Sequence, residues 1–143
     1  MRIAEIRPHV LRHDLERHFQ SAFSTFATRW ACLVEVICDD GTVGWGECLG
    51  PSAPNAALVR AMAPLVIGRD PREIEPIWTE IYNQFRDQGQ RGATMTAQSG
   101  IDIALWDIAG KAAGAPVHRL LGGAYRAQVP AYATGGFRPV GRD

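Results

Sequence analysis

A chain of 143 residues is long enough for one domain with its own core, and its 46% hydrophobic and 21% charged content is that of a folded globular protein, not a disordered one. Fifteen basic and fifteen acidic residues cancel, and no run of Lys or Arg interleaves with aromatics, which excludes nucleic acid and anionic membrane surfaces as indicated partners. Three cysteines, Cys32, Cys38 and Cys48, lack Cys-x-x-Cys spacing and read as buried free thiols. With no signal-peptide core in "MRIAEIRPHV" and no apolar run near the ~20 residues of a membrane helix, the expected location is cytoplasmic.

The opening reads as strands. "RIAEIRPHVLR" is the first, and "ACLVEVICDDGTVGWGEC" holds two β-rich runs about Asp39-Asp40-Gly41, a strong hairpin signal. Cys32, Val34, Val36 and Cys38 share one face at period two, so that face must be covered. Between strand and hairpin, residues 13–29 mix Phe19, Phe23 and Phe26 with Ser, Thr and His in no clean period, which predicts a long loop of the kind that serves as a lid or binding segment. "CLGPSAPN", residues 48–55, predicts a second loop.

The remainder reads as helices. Asn55 is placed as the cap of a helix through "AALVRAMA", which Pro64 should kink or end. Asp70, Pro71 and Glu73 then suggest a second start, followed by a stripe of Ile74, Ile77, Trp78, Ile81, Tyr82 and Phe85 that ends near Gly89, with Pro76 expected to distort its first turns. A third helix spans Thr96 to Ala113, carrying Ile101, Leu105 and Ile108 with Ile103 and Trp106 alongside, and small residues at 100, 104, 109 and 110 for close approach. Its two aspartates, Asp102 and Asp107, lie about 140° apart around a helix and do not converge as an acid and base pair. Asp107 sits four residues before Lys111, an ordinary helical ion pair, so both acids read as structural. Gly114 is the expected terminator, and Pro116 opens a short further turn through "VHRLLGG". The fold class is α+β: a three-stranded antiparallel meander packed on a helical bundle.

"GIDIALWDIAGKAAGAPVHRLLGG" resembles the last helix of the N-terminal capping domain in the mandelate racemase and muconate lactonizing branch of the enolase superfamily, and "DDGTVGWGEC" resembles that domain's hairpin. More narrowly, "GWGECLGPSAPNAALV", "YNQFRDQGQRG" and "SGIDIALWDIAGK" are similar to its galactarolactone cycloisomerase type of acid-sugar enzyme. The resemblance implies a capping domain over residues 1–127 and, in "VPAYATGG", the first strand of a catalytic (β/α) barrel begun by residues 128–143. It implies proton abstraction α to a carboxylate, with Mg2+ stabilising the enediolate. The metal carboxylates and bases belong to later barrel strands, so no catalytic and no metal-ligating residue is expected in this chain; Lys111, its only lysine, cannot be the family's Lys-x-Lys pair.

The capping domain's part, by the same resemblance, is substrate selection by two loops over the barrel mouth, here residues 15–27 and 48–53. His18, Phe19, Gln20, Phe23 and Leu49 are the expected contacts for an acid sugar or its lactone, with Thr134 at the end of the first barrel strand. Glu47 is expected to be structural. The implied partners are that small molecule, the rest of the barrel and, in a homo-oligomer, further copies. A dehydratase, a racemase or epimerase, and a stand-alone binding module are the alternatives.

Overall fold

A computed structural model describes residues 1–140. Strands β1 (Ile3–Gln20), β2 (Thr25–Cys38) and β3 (Val43–Cys48) form the antiparallel meander, and a two-residue strand β4 (Arg138–Pro139) adds to the far side of β1. The order is β3-β2-β1-β4, so the expected three strands are four. The Asp39-Asp40-Gly41 turn forms as the sequence indicates: Gly41 takes φ +83°, Asp40 Oδ1 accepts the Thr42 N–H, and the ladder resumes at Ile37 opposite Val43.

Register decides what faces the helices. Cys48, Gly46 and Gly44 of β3 stand opposite Cys32, Val34 and Val36 of β2, and Val36 stands opposite Ile6 of β1. This inner face, with Cys32, Val34 and Val36 fully buried, packs on α1 (Ser52–Met62) and α3 (Ala93–Ala113), and α2 (Ile74–Phe85) packs on α3; α4 (Val117–Leu120) follows. All three cysteines are free and buried, as expected, and desolvation with the neighbouring Cys32 pushes the Cys48 thiol up to about 12, which keeps it protonated and inert.

The helix boundaries differ from the expected ones at α1 and α2. Pro54 and Pro76 each fall at the third position of α1 and α2, within a first turn whose N–H groups have no helical partner, so neither distorts anything. Asn55 is therefore not a cap: it is buried inside α1, where its Nδ2 donates to the Leu49 carbonyl (2.9 Å) and its Oδ1 accepts from Thr96 Oγ1 (2.7 Å). The loop expected over residues 48–55 is shortened accordingly, since the helix begins at Ser52. Asp70 does not cap α2 either; its carboxylate accepts the Arg72 N–H (2.9 Å) in a turn, and the helix starts at Ile74. Pro64 lies in a single 3-10 turn, Ala63–Leu65, that ends α1.

On α2, Ile74, Ile77, Ile81 and Phe85 are buried as the stripe predicts, while Trp78 and Tyr82 stack at 5.1 Å on its flank. Helix α3 begins at Ala93, three residues before the expected Thr96, and ends at Gly114 with φ +59°. Ile101, Leu105 and Ile108 are buried, but Ile103 is 46% exposed and Trp106 is only partly covered, because α3 packs on β3, α1 and α2 and leaves a remaining strip to solvent.

Both aspartates act in packing. The Trp45 N–H (2.9 Å) and Lys111 Nζ (2.7 Å) donate to Asp107 Oδ2, and Lys111 Nζ also donates to the Val43 carbonyl (2.7 Å), so the expected ion pair also ties α3 to β3. Asp102 is half-buried in a crevice with Ile77, Trp78, Ile81 and Gln98, and burial, reinforced by Glu75, holds its carboxyl above the usual range. The folded state thus keeps this proton to higher pH than the unfolded chain, and stability is lost as pH rises above about 4. Asp102→Asn should raise the Tm at pH 7 and flatten its decline between pH 4 and 7; thermal melts across that window check it, and a wild-type profile would show that this carboxylate is not desolvated.

Candidate functional site

Residues 13–29, expected as a loop, are the outer halves of β1 and β2. The ladder runs from Ile6 opposite Val36 to Asp14 opposite Thr28 without a break. It then slips, so that residues 15–18 of β1 stand opposite residue 27 alone, and closes with Phe19 opposite Phe26 and Gln20 opposite Thr25. The turn at residues 21–24 is held by Ser21, whose Oγ accepts the N–H groups of Phe23 (3.3 Å) and Ser24 (3.1 Å). β3 ends opposite Cys32, so the β1–β2 ribbon continues beyond it for seven residues of β2, roughly 20 Å at 3.3 Å per residue, with only the two-residue β4 beside its end. The segment carrying Leu49 leaves β3 at this same end of the sheet.

The residues expected to meet substrate divide by environment. Phe23 at the turn (98% exposed) and Leu49 (81%) are open to solvent. His18 is exposed and Gln20 half-buried: His18 lines a cleft of about 480 Å³ with Glu16, Arg17, Pro139 and Val140, and Gln20 lines a second with Ser21, Ala22 and Phe137. Phe19 packs against Phe26 (5.2 Å between ring centroids) and Phe137 (5.1 Å), with the Arg29 guanidinium 5.1 Å above its ring. Thr134 is exposed on a segment without assigned strand. The hairpin thus gathers His18, Phe19, Gln20 and Phe23, while Leu49 and Thr134 stand on separate segments. Phe137 and Arg29 escaped the sequence reading, although an aromatic two residues from Gly135 was a visible signal.

No group of three or more His, Cys, Asp or Glu among the described residues could hold a metal ion, so the residues present do not fit Mg2+ and no metal-assisted step is placed on them. No helix among them is long and apolar enough to cross a membrane.

Residues 6–122 match the family model of the mandelate racemase and muconate lactonizing enzyme N-terminal domain. The D-galactarolactone cycloisomerase of Agrobacterium fabrum is 58% identical over 96% of this chain and 36% of its own length. The D-galactonate dehydratase of Pectobacterium atrosepticum is 44% identical over 78% of this chain and 29% of its own. The crystal structure of an enolase superfamily member from a Polaromonas species superposes with a TM-score of 0.84 at 32% identity, covering 94% of this chain and 36% of that one. The chain therefore spans about a third of the length of the curated relatives it matches. With the meander, the covering helices and the extended ribbon all in that family's arrangement, the chain belongs to the mandelate racemase and muconate lactonizing enzyme N-terminal domain family of the enolase superfamily.

Proposed function

We propose that residues 1–127 are the substrate-covering domain of an acid-sugar enzyme, of which a galactarolactone-type cycloisomerase is the best reading, and that residues 128–143 open its catalytic barrel. The observation that carries this is the β1–β2 ribbon, which runs beyond its sheet, offers His18, Gln20 and Phe23 at its end, and is hydrogen-bonded through the His18 carbonyl to the Val140 N–H (3.1 Å). Its polar groups, an exposed His18 and a half-buried Gln20, suit hydroxyl and carboxylate groups of a sugar acid, and its aromatic end excludes water from a mouth beneath it. The base and the Mg2+ ligands belong, on this reading, to the barrel, in a cytoplasmic homo-oligomer. A dehydratase is the second reading, favoured by the 44% identity to D-galactonate dehydratase.

The 143-residue chain alone should therefore give no heat with micromolar Mg2+ in calorimetry and no turnover of a galactarolactone or galactonate, while the same chain continued through its barrel turns over one of them. Product identity separates the two readings, since a cycloisomerase conserves the formula of the lactone and a dehydratase loses water. Turnover by the isolated chain would sink the assignment of the chemistry to the barrel.

A further inference from the structure

Past the slip at residues 15–18, the end of the ribbon has two ladder pairs, Phe19 with Phe26 and Gln20 with Thr25, and the turn bonds between Ser21 and residues 23–24. Two pairs in a two-stranded ribbon are marginal in water without tertiary support. That support comes from the other end of the described chain. Pro139 and Arg138 pair with Phe19 and Gln20, and the Val140 N–H donates to the His18 carbonyl. Phe137 packs against both of the strands' aromatics, which touch each other at 5.2 Å, with its ring 5.1 Å from Phe19 and edge-on to Phe26 at 6.0 Å. Arg29 covers the cluster, its guanidinium 5.1 Å from the Phe19 ring and 5.0 Å from that of Phe26.

We infer that Phe137 is the positioning residue for the ribbon's end: its ring, packed against the Phe19 and Phe26 pair, fixes where His18 and Gln20 stand, so the covering element is set by the segment following "VPAYATGG" and not by its own sheet. Two features single it out. The slip uncouples the end from the continuous ladder that begins at Asp14 and Thr28, and the aromatic cluster bridges residues more than a hundred positions apart in sequence. Phe19 and Phe26 then act through the cluster, which leaves direct contact with a ligand to His18, Gln20 and Phe23. The consequence for catalysis rests on the covering role proposed above; the positioning itself does not.

The test is amide hydrogen exchange on the 143-residue chain and on Phe137→Ala and Phe137→Tyr. The alanine variant should speed exchange at Phe19, Gln20, Thr25 and Phe26 tenfold or more, leave Val34 and Val36 at wild-type rates and leave the Tm unchanged, while tyrosine, which keeps the ring, restores wild-type exchange. Wild-type rates at the ribbon's end in Phe137→Ala, or an equal acceleration at Val34 and Val36, would overturn the inference. In the enzyme carrying a barrel, a freed ribbon end with unchanged kcat/KM would leave the positioning intact and remove the covering role, so the two readings fail separately.

Discussion

Gly46→Ala should destabilise the chain by about 3 kcal/mol or more, and Gly46→Val should prevent it from folding. A Cβ on Gly46 would be driven into the carbonyl oxygen of Gly100 and to 3.0 Å from the Ala104 nitrogen, and one on Gly44 would meet the Ala104 carbonyl and Ile108 Cγ1 at 2.6 Å. The Gly100 and Ala104 atoms are helix backbone, which cannot rotate away as the Ile108 side chain can. The reciprocal contact closes the interface: a Cβ on Gly100 would strike Cys48 Sγ and lie 2.9 Å from Val34 Cγ2. β3 and α3 thus touch main chain to main chain, and the Asp107 and Lys111 bonds to Trp45 and Val43 hold them at that distance. Gly135→Ala is the control, because nothing lies within 4 Å of its Cβ position, and it should change stability by no more than about 0.5 kcal/mol. Urea unfolding of the three variants beside wild type measures this, and a Gly46→Ala midpoint equal to that of wild type would mean that β3 and α3 are not in backbone contact.

That contact was half legible. The small residues at 100 and 104 announce a close approach on α3, but their partners, Gly44 and Gly46, pass for turn residues unless period two is continued from Cys48 back along β3, which puts all three on the buried face. The apolar alternation of β2 and the stripe of α2 were readable because burial on one face imposes a period on the sequence. Residues 13–29 escaped for the converse reason. Their ribbon is covered by no helix and has solvent on both faces, as the exposure of Leu11 (48%) and Trp30 (53%) records, so nothing selects an alternation, and two paired strands looked like a loop. The starts of α1 and α2 were missed because Asn55 and Asp70 have the chemistry of caps but bond elsewhere, Asn55 to Leu49 and Thr96 and Asp70 to Arg72. Phe137 could not be placed from its neighbours in sequence, since what fixes it is a pairing with Phe19 across almost the whole chain.

His18→Ala, made in an enzyme that joins this chain to its barrel, should lower kcat/KM at least tenfold, a loss of ~1.4 kcal/mol of transition-state stabilisation, and leave the Tm nearly unchanged. The side chain lines the cleft between the ribbon and residues 139–140, outside the Phe19, Phe26 and Phe137 cluster, and the backbone bond from Val140 goes to the His18 carbonyl, which alanine retains. Truncation therefore removes an imidazole facing the cleft without loosening what holds the ribbon. Phe19→Ala is the instructive companion. It deletes the ring on which Phe26, Phe137 and Arg29 converge, so it should also lower kcat/KM, but with faster exchange at Gln20 and Thr25, where His18→Ala leaves exchange alone. If His18 served only to anchor the ribbon, its alanine variant would instead copy Phe19→Ala in exchange and keep wild-type kcat/KM per folded molecule. Kinetics, melts and exchange on the same two variants separate contact from support, and wild-type kcat/KM in both would exclude the ribbon as the element that covers substrate.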